Sequence, residues 1–208
     1  SRYLPLGSTG DANHLWGVPV CVRYATADGS KVACEVLDKA QGTMALPGAT
    51  AQTWVMPNAN GSGYYRFSMD KGDLANLGKQ IGKLADAEQL AYGDAVNAAF
   101  RRGDIDAGSA LAALKPLTAS KVREVSTAPM NTFGWIYDQL ATTDAQRAKL
   151  VAWAKSSYLP ELQRLGYQRK DGEADGDSLQ RATLANFLGL DVKLPEVRAE
   201  LLKQGDAV

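Results

Sequence analysis

Apolar residues fall at every second position near the start of this chain, and at every third or fourth position further on. Trp16, Val18, Val20 and Val22 alternate with other residues, as do Val32, Cys34 and Val36. Such alternation marks a strand with one buried face. Between the two runs lies Thr26-Ala27-Asp28-Gly29-Ser30, where Asp-Gly supplies the positive φ that a tight turn needs. The pattern predicts a β-hairpin. Further short strands fit 43–46, 52–56 and 63–69, separated by Pro47-Gly48 and by Pro57-Asn58-Ala59-Asn60-Gly61. Short strands broken by frequent turn signals predict a small antiparallel β-sandwich over residues 1–69.

From residue 70 the period changes. Leu74, Leu77, Ile81 and Leu84 are spaced 3, 4 and 3 apart, one face of a helix. Ala87, Ala91, Ala95 and Ala98 form a stripe of small residues that would let a neighbouring helix come close. Arg101-Arg102-Gly103 reads as its end, cations in the last turn and glycine just beyond. A short helix fits 107–114, stopped by Pro116, and residues 119–140 hold one or two helices broken near Pro129. Thr143-Asp144-Ala145-Gln146 has the capping-box pattern, followed by Val151, Ala154, Tyr158, Leu162 and Leu165 at helical spacing. Pro160 must kink that helix or begin a second one. Leu179, Thr183, Phe187 and Leu190 mark another, and 194–204 the last. Strands followed by helices, without interleaving, predict an α+β chain in two parts. These are a β-sandwich over 1–69 and an all-α helical array over 70–208, arranged as an α-solenoid of antiparallel helix pairs.

Charge narrows the function classes. Lys plus Arg and Asp plus Glu each total 23, so the formal net charge is zero. A nucleic-acid partner would call for a basic excess, and a membrane-surface module for a basic amphipathic face. No apolar run approaches the roughly 20 residues of a bilayer span. The compartment stays open, since two cysteines suit an oxidising or a reducing one.

The single histidine, His14, is the most restrictive feature of the composition. The helical zinc signature H-E-x-x-H needs two. A catalytic triad would have to use His14, which reads instead as a structural or surface residue beside Trp16. Cys21 and Cys34 lie equally far from the turn centre, so they form either a cross-strand disulfide or two small buried hydrophobes. With His14 they lack the usual spacing of zinc ligands. Asp171, Glu173, Asp175 and Gly176 imitate the start of a calcium loop, but the twelfth position is Ala182 where a bidentate glutamate is required. A solvated acidic loop before a helix start is the simpler reading. Asn60-Gly61-Ser62 matches the glycosylation sequon, which has meaning only in a secreted eukaryotic protein.

Residues 54–70 read Trp-Val-Met-Pro-Asn-Ala-Asn-Gly-Ser-Gly-Tyr-Tyr-Arg-Phe-Ser-Met-Asp. This resembles a signature of the aminopeptidase N family of zinc metallopeptidases, with Trp54, Asn58, Gly63, Tyr64, Tyr65, Arg66 and Asp70 matching. The family's Val-Asn-Tyr after the arginine is replaced by Phe67-Ser68-Met69. Ser1-Arg2-Tyr3 and Trp16-Gly17-Val18-Pro19-Val20 resemble the opening strands of its sandwich. Residues 90–117 resemble its first helix pair, and Leu165-Gly166-Tyr167 with the acidic loop a later connection.

The resemblance implies a C-terminal region of a hydrolase that removes N-terminal amino acids from peptides. In the family the zinc and its ligands belong to a catalytic domain upstream. No catalytic or metal-binding residue therefore carries over to this chain, which is expected to hold no cofactor and to be inactive as a protease alone. The expected partners are the upstream catalytic domain of the same polypeptide and the peptide substrate whose cavity the helical domain helps enclose. The matching residues are expected to be mainly structural, with one tyrosine of the pair packed inward and Arg66 pairing with Asp70 or capping carbonyls. Two rivals stand beside this reading. One is a stand-alone helical-repeat scaffold that binds proteins or peptides. The other is an unrelated enzyme using paired carboxylates, for which no activated nucleophile is visible.

Overall fold

A computed structural model describes residues 6, 7, 9 and 15–205. The expectations for Ser1-Arg2-Tyr3 and His14 lie outside these residues. The hairpin forms as the alternation predicts: β1 (Val18–Thr26) pairs antiparallel with β2 (Gly29–Leu37). Gly29 takes φ +129, a value that L side chains rarely adopt. A two-residue strand β3 (Val55–Met56) joins the other edge of β1, giving the order β2-β1-β3.

The described residues therefore hold one three-stranded sheet. The segments 43–46 and 63–69, expected as strands of a sandwich, carry no ladder. Their groups bond elsewhere. The Tyr24 hydroxyl donates to the Pro47 carbonyl, and the 63–65 stretch is tied down by side chains described below.

Eight α-helices follow among the described residues: α1 (Lys71–Gly78), α2 (Asp86–Arg102), α3 (Ala107–Leu114), α4 (Arg123–Thr127), α5 (Pro129–Gln139), α6 (Asp144–Leu165), α7 (Asp175–Asn186) and α8 (Pro195–Gly205). A π-helical turn, Phe187–Asp191, extends α7. The chain is thus α+β, a small antiparallel sheet followed by a helical array. It divides into two compact units after Leu117, so residue 70 falls within the first.

The first unit packs β1–β3 with α1–α3. Its most buried side chains include Tyr24, Met56, Leu77, Tyr92, Leu114 and Leu117. Leu74, Leu77, Ile81 and Leu84 are all buried, but they do not share one helix: α1 ends at Gly78, Ile81 opens a 3-10 turn (Ile81–Lys83) and Leu84 follows it. The alanine stripe of α2 is buried at Ala95 and Ala98 but not at its start. Ala87 is exposed and Ala91 only half-buried, while Glu88, Tyr92, Val96 and Ala99 face the core. Tyr92 drives this choice, because it is far larger than any alanine on the rival stripe. Its hydroxyl donates to the Ala113 carbonyl, and burial pushes its pKa well up. Gly93 serves the close approach expected of the alanines, since a Cβ there would stand 3.1 Å from Leu117 Cδ1. Gly103, at φ +80, ends α2 in the left-handed conformation.

The second unit is built on Phe133, Tyr158 and Phe187, whose rings meet edge-to-face at 5.2 Å and 5.3 Å about Phe187. The buried Tyr158 hydroxyl donates to the Ser126 carbonyl. Thr143 and Gln146 form the capping box that starts α6. Pro160 does not begin a second helix, because α6 runs unbroken from Asp144 to Leu165. In α7 and its π-helical turn the buried face keeps Phe187 of the expected set but otherwise departs from it. Leu179 and Leu190 are exposed, while Gln180, Arg181, Leu184 and Leu188 are buried.

Candidate functional site

The signature residues gather at the junction of β1, β3 and the start of α2. Asn58 closes the 58–63 loop on itself. Its side-chain amide donates to the Gly63 carbonyl at 2.9 Å, and its carbonyl accepts from the Gly63 N–H at 2.8 Å. Buried Asn58 thereby satisfies both functional ends at once.

Gly63 is required by a neighbour. A Cβ there would stand 2.1 Å from Cε1 of Tyr65. The freed space lets the Tyr65 ring turn back onto the sheet. Its hydroxyl donates to the Pro57 carbonyl at 2.6 Å and accepts from the Cys21 N–H at 3.3 Å. Cys21 lies on the edge of β1 beyond the reach of the short β3, so one phenol does there what a further strand residue would do. Burial raises the Tyr65 pKa, partly offset by the hydrogen bond from Cys21.

Tyr65 is therefore the inward tyrosine, and Tyr64 is fully exposed. Arg66 has a partner that the sequence did not suggest. Its guanidinium meets Asp94 of α2, Nε to Oδ2 at 2.9 Å, with both side chains about half exposed. Asp70 instead caps α1, accepting from the Asp73 N–H at 2.9 Å. Trp54 is buried, with the Arg23 guanidinium 5.2 Å from its ring centre.

The centre of this network is a pair that the sequence reading missed. Arg23 of β1 forks onto Glu88 of α2 through two nitrogens, Nε donating to Oε1 at 2.8 Å and Nη2 to Oε2. Glu88 is wholly buried. Its carboxylate also accepts from the Asn60 N–H at 2.9 Å and the Ala85 N–H at 2.9 Å. Burial alone would raise its pKa, but Arg23 and the two backbone donors outweigh this and hold it below the usual glutamate value. One signal could have found it. Leu84, Glu88, Tyr92 and Val96 share an i, i+4 stripe, and a lone glutamate among large apolar residues calls for a buried partner.

Cys21 and Cys34 are directly opposed in the hairpin and joined by a disulfide, with Cα atoms 4.1 Å apart. Cys21 borders a groove of about 660 Å³ lined also by Trp16, Pro19, Tyr64, Tyr65 and Arg66. A second, apolar cleft of about 340 Å³ lies among Leu74, Tyr92, Ile105 and Ala113. At the second, the Ser109 hydroxyl donates to the Asp106 carboxylate at 2.7 Å, and the same carboxylate caps α3 through the Ser109 N–H. Among the described residues no group of three His, Cys, Asp or Glu side chains could hold a metal ion.

The acidic loop is not simply solvated. Glu173 and Arg181 form a buried ion pair, while Glu173 also accepts from the Lys170 N–H at 2.8 Å. Arg181 further donates to the Gly166 and Leu165 carbonyls at the end of α6. The Lys170 N–H, set against a smaller burial effect, and then Arg181 hold Glu173 below the usual carboxylate range. Asp175 meets Arg169 at 3.2 Å.

Among the described residues these side chains bond one another, holding the signature segment against the sheet and the start of α2. The chain belongs to the ERAP1-like C-terminal domain family, whose model matches residues 54–208 and so begins on Trp54. No curated protein matches the chain. Among the described residues no helix is long and apolar enough to cross a membrane.

Proposed function

We propose that this chain is the non-catalytic C-terminal region of a zinc-dependent aminopeptidase. It docks on the catalytic domain of the same polypeptide and helps enclose the cavity that holds the peptide. The observation that carries this reading is the family match, which starts on the signature segment and covers the whole helical array. The internal bonding of Asn58, Gly63, Tyr65 and Asp70 supports a structural role for the signature. The zinc and the hydrolysis of the terminal peptide bond belong to the catalytic domain. Tyr64, the fully exposed signature side chain, is the contact offered to that domain, with the groove beside it.

The test pairs two measurements on the purified chain: metal content by mass spectrometry, and hydrolysis of an aminoacyl amide. The expected result is neither stoichiometric zinc nor turnover. Titration with an aminopeptidase N-type catalytic domain should then give saturable binding that Tyr64→Ala weakens. One zinc per chain with chelator-sensitive turnover would overturn the reading, as would an absence of binding to the catalytic domain.

A further inference from the structure

The β2 edge of the sheet, unpaired among the described residues, carries a second inference, independent of the one above. Along β1 the odd residues turn their backbone groups away from β2. Arg23 pairs with Met56, the Ala25 N–H donates to the Trp54 carbonyl, and the Cys21 N–H donates to Tyr65. The even residues of β1 therefore bond β2, through their partners Lys31, Ala33 and Glu35. It follows that Ser30, Val32, Cys34 and Val36 aim their N–H and C=O groups outward from the sheet. Among the described residues β2 is an edge strand, nine residues long, with no proline. Val32 and Val36 on it are 50% and 64% exposed. An edge of this kind is a template for another strand.

The side chains say which strand fits. Lys31 and Glu35 lie symmetrically about Ala33 on one face. Two copies of β2 laid antiparallel, with the two-fold axis through Ala33, place each Lys31 opposite the other copy's Glu35. In that register the outward groups of Val32 meet those of Cys34, and the groups of Ser30 meet those of Val36, so the ladder closes. Shifting the partner by two residues either way sets Lys31 opposite Ala33 or Leu37 and loses both ion pairs. The charge pattern thus selects one self-complementary register.

We propose that β2 is a homotypic docking edge, and that two copies of this chain join through it into one continuous six-stranded sheet. The contact is smaller than a standard protein interface, so the dimer forms reversibly and dissociates on dilution.

Sedimentation velocity of the full chain over a concentration series tests this. The expected result is a monomer–dimer equilibrium. Lys31→Glu and Glu35→Lys should each raise the dimer dissociation constant about tenfold, since each sets like charges opposite at two sites. The double exchange should return it to near the starting value. Val32→Pro removes an outward N–H while leaving the β1 ladder intact, so it should abolish the dimer with an unchanged circular dichroism spectrum. A chain that stays monomeric at all concentrations would overturn the proposal. So would a dimer indifferent to the single reversals, or one that the double exchange does not restore.

Discussion

Tyr65 shows how much one hydroxyl can hold in place. It accepts from Cys21 and donates to Pro57, so it ties the signature loop to the uncovered edge of β1. Tyr65→Phe keeps the ring and leaves those groups without it. The expected loss is about 1–3 kcal/mol of unfolding free energy, read by urea denaturation. Gly63→Ala should cost a similar amount by another route, since the new methyl must displace the ring that Tyr65 has placed there. Glu88 is the more consequential residue. Glu88→Gln removes the charge that neutralises Arg23, with an expected loss of about 3 kcal/mol. The pH dependence follows from the lowered Glu88 pKa. A depressed carboxylate contributes fully above the unfolded value, about 4.3, and that contribution is lost as pH falls through the folded value. Comparing acid unfolding of the two proteins checks this, because Glu88→Gln should flatten that part of the profile.

Elements were legible in the sequence wherever a local signal set them. The Asp28-Gly29 turn, the Thr143–Gln146 capping box, Gly103 and Pro129 each act through their own backbone or a neighbour's, and each stands where local chemistry puts it. The buried faces of α2 and α7 were legible only in part: Ala95, Ala98 and Phe187 are buried as expected, while Ala87, Leu179 and Leu190 are exposed. A stripe of alanines resembles an apolar face but buries little area, so Tyr92 and the Glu88 pair outvote it. Leu179 and Leu190 likewise give way to Leu184 and Leu188, while Arg181 reaches inward to Glu173. Of the candidate site, the signature residues were readable, but the partner of Arg66 was not. Asp94 lies far along the chain, and only the fold brings it near. Thr143→Ala tests the local class: losing the cap of α6 should cost about 0.5–2 kcal/mol, measured by thermal unfolding. The hairpin offers a stronger test. The disulfide closes a short loop of sequence separation 13, and replacing both cysteines by alanine should lower stability by roughly 2–4 kcal/mol.

At the scale of the whole molecule, opposite charges are balanced and several carboxylates have lowered pKa values. Asp106, Glu173 and Glu196 join Glu88, each held down by hydrogen bonds or a cation. The folded chain therefore binds fewer protons than the unfolded one around pH 4. Stability should rise with pH through that region, and Tm measured from pH 3 to 6 should climb accordingly. Colloidal behaviour should follow another curve. With a sequence pI near 6.6, net repulsion between molecules vanishes near neutrality. Solubility should be lowest there and improve on either side, a trend that light scattering can follow.

The four bonds on Glu88 also limit how the molecule can be redesigned. A buried ion pair between two side chains can be exchanged for hydrocarbon of equal volume with little loss, since both charges leave together. Here the carboxylate also receives the Asn60 and Ala85 N–H groups. An apolar swap at positions 23 and 88 would remove both charges yet leave two peptide donors without their acceptor. A double-mutant cycle between the two sites would thus find a coupling smaller than the damage done at position 88 alone. Glutamate is irreplaceable there as an acceptor for the backbone, even after its cation has gone.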